Sequence, residues 1–454
     1  MDGFKVIRRF PEGIVTPPPS KSLGHRAIIC AALACRVAGG AGDAYSVIEN
    51  LGESDDIKAS LEGIRSLGAD WALEGSRLEV FGAAAQTGQP IDCYESGSTL
   101  RFLLPLLALE ERESVFVGRG RLLERPLGVY QEVFEAAGAS LTQSADAVRV
   151  RGVLRNGSYH LPGDVSSQFV SGLLMALPLL DEDSELVLDT PLQSGSYVDL
   201  TRAVMRYFGV ETEQPEAMRF YIPGNQQYQP ARYQVESDYS QAAYFLAAAA
   251  LGRPVWCQGL NPDSAQGDRA FIEILKQMGA ELVYQDDLVT VRAGRLAAVS
   301  VDVGDIPDLV PPLATLCCFC QGTSYITNAS RLRLKESDRL SAMASELGKL
   351  GALIVEGDDY LSITGVDSLS GNRVDAWSDH RIAMSMGLAA IRTVGQVELS
   401  GWQSVAKSYP HFWQDFERSE LSGDMSLEPS EQSDKDTGSG PGSALGQVTE
   451  RSNP

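Results

Sequence analysis

The chain has 454 residues, a formal charge of −22, and 44% hydrophobic against 22% charged residues, a globular balance in a chain too long for one ordinary core. No apolar run reaches the roughly 18–20 residues of a membrane span, and the charge is opposite in sign to that of a typical nucleic-acid binder. Two domains with no membrane and no nucleic-acid partner are therefore expected, and any anionic ligand must be met by a local concentration of Lys, Arg and helix N-termini.

In chain order, Met1 to Phe10 carries charges but no apolar h-region, so no secretory signal is read there. Structured sequence starting almost at once argues against a transit peptide. Residues 1–18 read as a lead-in strand that crosses to the second domain.

An internal repeat then dominates the chain. Polar clusters followed by small, apolar, helix-like runs recur at Ser22 (KSLGHRAIICAAL), Ser98 (SGSTLRFLLPLL), Ser167 (SSQFVSGLLMAL), Ser240 (DYSQAAYFLAAAA), Asp308 (PDLVPPLATLCC) and Asp379 (SDHRIAMSMGLAA), with spacings of 76, 69, 73, 68 and 71. A second landmark has the same period. Amphipathic segments stop at Gly68, Gly138, Gly209, Gly279 and Gly351, and a β-like run follows each. Glycine directly after a helix predicts a left-handed C-cap.

The chain thus reads as six units of about 70 residues, each a polar-capped helix, a strand, a second helix with a glycine stop, and more strand. Three units fall in a first domain (19–230) and three in a second (231–418), with the boundary in the polar stretch Gly224–Glu236. Residues 419–454, rich in Ser, Gly, Asp and Glu, are expected to form a disordered acidic tail. The seven cysteines are an odd and scattered set. Cys317, Cys318 and Cys320 lie in an apolar stretch without a second ligand pair and read as core, which suits a reducing, cytoplasmic setting.

Helix starts with exposed N–H groups attract anions, and six of them on one cleft would make an anion funnel. A lone serine there is ordinarily an N-cap. Here, however, basic residues stand beside the starts: Lys21 and Arg26 at the first, Arg125 held extended by Pro126, Lys335 and Arg339 four apart on a presumed helical face, Arg381 at the sixth start, and Lys407 in AKSYP. Any one alone reads as a solvated surface charge. Asp308 reads equally as a helix cap, Glu336 as an i,i+3 partner of Arg339, and His380 as a capping or supporting histidine.

PSKSLGHRA, ESGSTLRFLLPL, ERPLG, GDVSSQFVSGLLMALPL, the KESDR run, DHRIAM and AKSYP, in this order between Pro18 and Phe416, resemble the signature set of the 3-phosphoshikimate 1-carboxyvinyltransferase (EPSP synthase) family. The resemblance implies a two-domain inside-out α/β barrel built from six βαβαββ repeats, three per domain. It implies transfer of the enolpyruvyl group of phosphoenolpyruvate to the 5-hydroxyl of shikimate 3-phosphate, through a tetrahedral intermediate, in chorismate and aromatic amino acid biosynthesis. The family default is a monomer.

Residue by residue, it implies shikimate 3-phosphate contacts at Lys21, Ser22, Arg26, Ser166, Ser167, Gln168, Ser194, Tyr197, Asp308 and Lys335. Arg331 is carried over although some members have Asn there. Phosphoenolpyruvate contacts, also the family's glyphosate site, fall on Lys21, Gly97, Arg125, Gln168, Arg339, Arg381 and Lys407. Asp308 and Glu336 match the acid–base carboxylates, assisted by Lys21. Glu95 and Ser96 depart from the Asn-Ala of many members. The chemistry breaks a C–O bond at an organic cation-like centre, so no metal or other cofactor is demanded. Two alternatives stand beside this reading. A sister enzyme acts on a UDP-sugar and usually carries a reactive Cys in the loop matching Gly118–Leu127, where this chain has none. A non-catalytic anion-binding scaffold on the same fold would be expected to lack Lys21, Asp308 or Glu336.

Overall fold

A computed structural model describes residues 3–37, 45–86, 88–292 and 294–418. The expected tail, 419–454, lies outside the described residues. The fold is mixed α/β, with twelve α-helices among the described residues: α1 (Lys21–Val37), α2 (Asp55–Gly63), α3 (Gly97–Leu107), α4 (Gly128–Ala136), α5 (Ser167–Ala176), α6 (Gly195–Tyr207), α7 (Tyr239–Ala250), α8 (Ala270–Gln277), α9 (Val310–Cys317), α10 (Arg339–Lys349), α11 (His380–Ala390) and α12 (Phe412–Phe416).

The odd-numbered helices up to α11 are the small, apolar runs of the repeat. α7 and α11 are buried along their whole length, and α3 is buried except at Ser98. A helix that is apolar all round belongs inside a core. The even-numbered helices α2, α4, α6, α8 and α10 each carry one buried face. After each of them the expected glycine stop occurs. Gly68, Gly138, Gly209, Gly279 and Gly351 have φ between 82° and 91°, the left-handed geometry that ends a helix without Cβ strain.

Five four-stranded sheets share one topology: a parallel pair, an antiparallel third strand, and its hairpin partner. In one of them Ile91–Asp92 runs parallel to Ser114–Val117, which pairs antiparallel with Val148–Gly152 and so with Ala139–Gln143. In two sheets the leading strand comes from far along the chain. Gly13–Val15 lies parallel to Val255–Gln258, and Arg232–Gln234 lies parallel to Tyr45–Glu49. Lys5–Ile7 pairs with Val397–Ser400. The sheets stay separate, and no closed barrel forms among the described residues.

Two apolar cores result. One gathers buried residues between Leu23 and Val235; the other gathers those between Tyr239 and Phe416, with Ile7 and Val15 from the chain's start. The two passages of chain between them run side by side. Ser20 N–H donates to Glu236 O at 2.7 Å and Asp238 N–H to Pro18 O at 2.8 Å. All seven cysteines are buried and unpaired, Cys317, Cys318 and Cys320 inside the second core.

Candidate active site

Helix starts from both halves of the chain converge on one polar cavity. It is lined at the start of α1 by Lys21, Ser22 and Arg26, at α3 by Gly97, Ser98 and Arg101, and at α5 by Ser166, Ser167 and Gln168. Arg125, Ser194 and Tyr197 complete the N-terminal side; Asp308, Arg331, Lys335, Glu336, Arg339, His380 and Arg381 form the other. Lys407 reaches the same cluster from behind, 3.8 Å from Glu336. The candidate substrate and acid–base residues are therefore brought together, though not all six helix starts.

On the N-terminal side the basic groups are held by rigid neighbours. Arg26 is buried and donates to Thr201 Oγ1 (2.8 Å), Ser22 O (2.7 Å) and Tyr197 O (2.9 Å). Burial lowers its pKa to about 10. Lys21 pairs with Asp56 at 2.8 Å. Arg125 has φ −66° and ψ 133°, the extended geometry expected before Pro126, and stands 3.3 Å from Glu336. A Cβ on Gly97 would lie 2.8 Å from Arg101 Nη1 and 2.9 Å from Arg125 Nη1, so a side chain there would push both guanidinium ends from their present places.

The C-terminal side is an ion-pair network. Asp308 accepts from Arg339 (3.0 Å) and Arg381 (2.8 Å), with Lys335 at 3.7 Å. Glu336 accepts from Arg339 at 2.8 Å, and Asp379 accepts from Arg339 Nε at 2.8 Å. Burial alone would raise Asp308, but Arg381, Lys335 and Arg339 outweigh it and hold the acid well below the usual carboxylate range. Burial likewise favours neutral Glu336, and Arg125, Arg339 and Lys407 overturn it. In the ligand-free site both carboxylates are ionised. Lys335 is lowered to about 8, burial prevailing over the attraction of Asp308.

Several local expectations change. Lys335 is not helical. It ends a 3₁₀ turn in an extended conformation, and α10 begins only at Arg339 because Asp338 caps it through Ser341 N–H. Lys335 and Arg339 still meet at Asp308, by a turn and not by a shared helical face. Asp308 caps nothing with its side chain. His380 does not cap either; Asp379 does that for α11. Both His380 ring nitrogens are buried without a hydrogen-bond partner, and burial, with Lys21 and Arg381 nearby, drives its pKa well below the ordinary value. It is a neutral wall of the cavity.

The serines chosen as landmarks lie just inside the helices, while the capping atoms belong to Ser96, Ser166, Asp238 and Asp379. α7 does not line the cavity: its cap Asp238 fills that start with a carboxylate, and Ser240 accepts from Arg381 at 2.8 Å. Arg331 donates to Ser194 Oγ at 2.9 Å.

Sequence reading missed Arg101 and Asp56, took Asp379 only as a helix-start landmark, and set Glu95 aside. Arg101 donates to Gln168 Oε1 at 2.9 Å; its place one turn after Gly97 in STLRF was the available signal. Glu95 pairs with Lys407 at 3.2 Å, a contact that no local pattern announces.

The arrangement can do two things chemically. It presents at least seven cationic side chains to one cavity, enough for reactants that each carry several negative charges. It also places two carboxylates, Asp308 and Glu336, among those cations as proton carriers.

The family model for EPSP synthase (3-phosphoshikimate 1-carboxyvinyltransferase) matches residues 9–416. The chain is 43% identical over 431 residues to the 3-phosphoshikimate 1-carboxyvinyltransferase of Clostridium novyi, covering 92% of this chain and 97% of the relative. It is 42% identical over 422 residues to that of Clostridium acetobutylicum, covering 91% and 96%. The solved EPSP synthase of Acinetobacter baumannii superposes with a TM-score of 0.73 at 25% identity, over 91% of this chain and 97% of that one. The enolpyruvyl transferase NikO of Streptomyces tendae shares the fold, with a TM-score of 0.75 at 19% identity over 91% and 97%. With a family match spanning nearly all the described chain and relatives above 40% identity over nearly their full length, this protein belongs to the EPSP synthase family.

Proposed function

We propose that the cavity transfers the enolpyruvyl group of phosphoenolpyruvate to the 5-hydroxyl of shikimate 3-phosphate, releasing 5-enolpyruvylshikimate 3-phosphate and phosphate. The observation that carries this reading is the meeting of Lys21, Arg125, Lys335, Arg339, Arg381 and Lys407 around the carboxylates Asp308 and Glu336, in a member of this family.

Shikimate 3-phosphate takes the side formed by Ser22, Arg26, Ser166, Ser167, Gln168, Ser194, Tyr197, Arg331 and Lys335. Phosphoenolpyruvate takes the side formed by Gly97, Arg125, Gln168, Arg339, Arg381 and Lys407, and Lys21 reaches both. As the 5-hydroxyl oxygen bonds to C2 of phosphoenolpyruvate, its proton passes to Asp308. The methylene carbon takes a proton from Glu336, assisted by Lys21, which completes the tetrahedral intermediate. In the second step Glu336 recovers a proton from the new methyl group, the C–O bond to phosphate breaks, and the proton on Asp308 leaves with the phosphate.

Glu336 must be protonated to act first as an acid, yet Arg125, Arg339 and Lys407 hold it ionised. The reactants resolve this. Their anionic groups neutralise Arg125, Arg339 and Lys407, the cations that depress Glu336, so its pKa rises when the site fills. Proton uptake thus accompanies binding.

The two cores are read as two domains of three βαβαββ units each, packed around inward-facing helices, with a monomer as the active species. The test is phosphate release from phosphoenolpyruvate with shikimate 3-phosphate, run beside a UDP-sugar acceptor. Turnover confined to shikimate 3-phosphate is expected; turnover confined to the UDP-sugar, or none with either, overturns the reading.

A further inference from the structure

Tyr197 sits between two carboxylates. Its phenolic oxygen lies 3.2 Å from Asp268 Oδ2 and 3.4 Å from Asp308 Oδ2. A phenol has one hydrogen to donate, so it satisfies only one of them. For both contacts to be hydrogen bonds, a second hydrogen must reside on one of the two acids.

The surroundings decide which acid holds it. Asp308 faces Arg339, Arg381 and Lys335 and is ionised. Asp268 has no ion-pair partner among the described residues, and it is 5% exposed. Its Oδ1 is buried without a hydrogen-bond partner, a heavy cost for a delocalised charge and a light one for a neutral acid. The charged and titratable groups that face it are Tyr197 from α6, Asp308, Arg381 from α11, and Asp238 before α7. Burial and the charge of Asp308 raise it to about 7, against the pull of Arg381.

We propose that Asp268 is a proton-holding positioning residue: neutral in the working enzyme, it donates to Tyr197, which in turn donates to Asp308 and so orients the hydroxyl base. Asp268 touches no reactant; it acts through the phenol. Its ionisation turns the Tyr197 hydrogen away from Asp308 and adds a negative charge beside an anionic acceptor. The catalytic part of this inference rests on the assignment of Asp308 as the base; the location of the proton does not.

Two measurements test it. In Asp268→Asn the amide still donates to Tyr197 but cannot ionise. Wild-type kcat/KM for shikimate 3-phosphate should fall by about 10-fold between about pH 6 and about pH 8.5. The variant should match wild type within about 3-fold at the lower pH and fall clearly less, keeping only the part that deprotonation of Lys335, lowered to about 8, imposes on both proteins. The same fall in both proteins, or a uniform loss at every pH, overturns the proposal.

The second measurement needs no turnover. The isotope-edited infrared difference between ligand-free wild type and Asp268→Asn should show a protonated carboxyl band that titrates near neutrality. Tyr197→Phe, which removes the acceptor and keeps the ring, should shift that band. No such band means that Asp268 is ionised and sinks the inference, whatever the substrate proves to be. A band without catalysis supports the proton's location and faults the assigned reaction instead.

Discussion

Asp308 holds three cations, Lys335, Arg339 and Arg381, and that makes its removal informative. In Asp308→Ala, Arg339 keeps Asp379 and Glu336 as partners, while Arg381 and Lys335 are released to meet a ligand. Shikimate 3-phosphate binding, measured by calorimetry, should be kept or tightened, and kcat should fall by about 10²–10⁴-fold. Affinity and turnover lost in step would show that the acid supports the site's structure and not its chemistry. Glu95 makes the opposite case. Lys407 is nearly enclosed by Glu95 at 3.2 Å, Glu336 at 3.8 Å and Asp56 at 3.9 Å, so part of its charge is spent inside the protein. Glu95→Gln should return some of it to phosphoenolpyruvate, lowering that KM by about 2- to 5-fold, the scale of one partly exposed ion pair. The KM for shikimate 3-phosphate should stay put. An unchanged phosphoenolpyruvate KM means that Lys407 does not meet that substrate.

At the scale of elements, the repeat was legible because it is written in local chemistry. Glycine stops need left-handed φ, and inward helices need small apolar residues on every face, so both show in composition. What stayed hidden was contributed at a distance. Lys335 looked helical because i,i+4 spacing does not reveal that Asp338, three residues on, captures the helix start. α1 has basic residues at its start, and the oxygen that meets its Lys21 N–H is Oδ2 of Asp238, 217 residues away. The other oxygen of the same carboxylate accepts from Ser240 and Gln241 N–H at the start of α7. One side chain therefore tethers two helices, one from each core. Replacing a single cap costs about 1 kcal/mol, so Ser166→Ala should lose about that much in urea unfolding. Asp238→Ala should lose about twice as much, because two helix starts are orphaned together. Equal losses would show that the bond to Lys21 contributes nothing.

For the molecule as a whole, the decisive feature is that the buried apolar residues divide into two separate cores. Besides the paired passages at Pro18–Ser20 and Glu236–Asp238, polar contacts run between them, among them Arg125 with Glu336, Lys407 with Glu95, Arg331 with Ser194, and Gly195 N–H with Asp305. Polar joins of this kind permit relative motion by default. The cavity also gathers like charges that repel one another when no ligand is present, and water screens exposed pairs down to about 1 kcal/mol or less. An anion with contacts on both sides changes that balance. On the proposed assignment, shikimate 3-phosphate meets Ser166 and Gln168 on one side and Lys335 on the other, so its binding should draw the halves together. Small-angle scattering of the protein with and without shikimate 3-phosphate should show a smaller radius of gyration in the complex. Lys335→Met, which removes a contact on one side only, should weaken the compaction while leaving the ligand-free curve as it was. Identical curves with and without ligand, at a concentration where calorimetry shows the site full, would mean that the halves are already locked and that the charges meet across a gap that does not move.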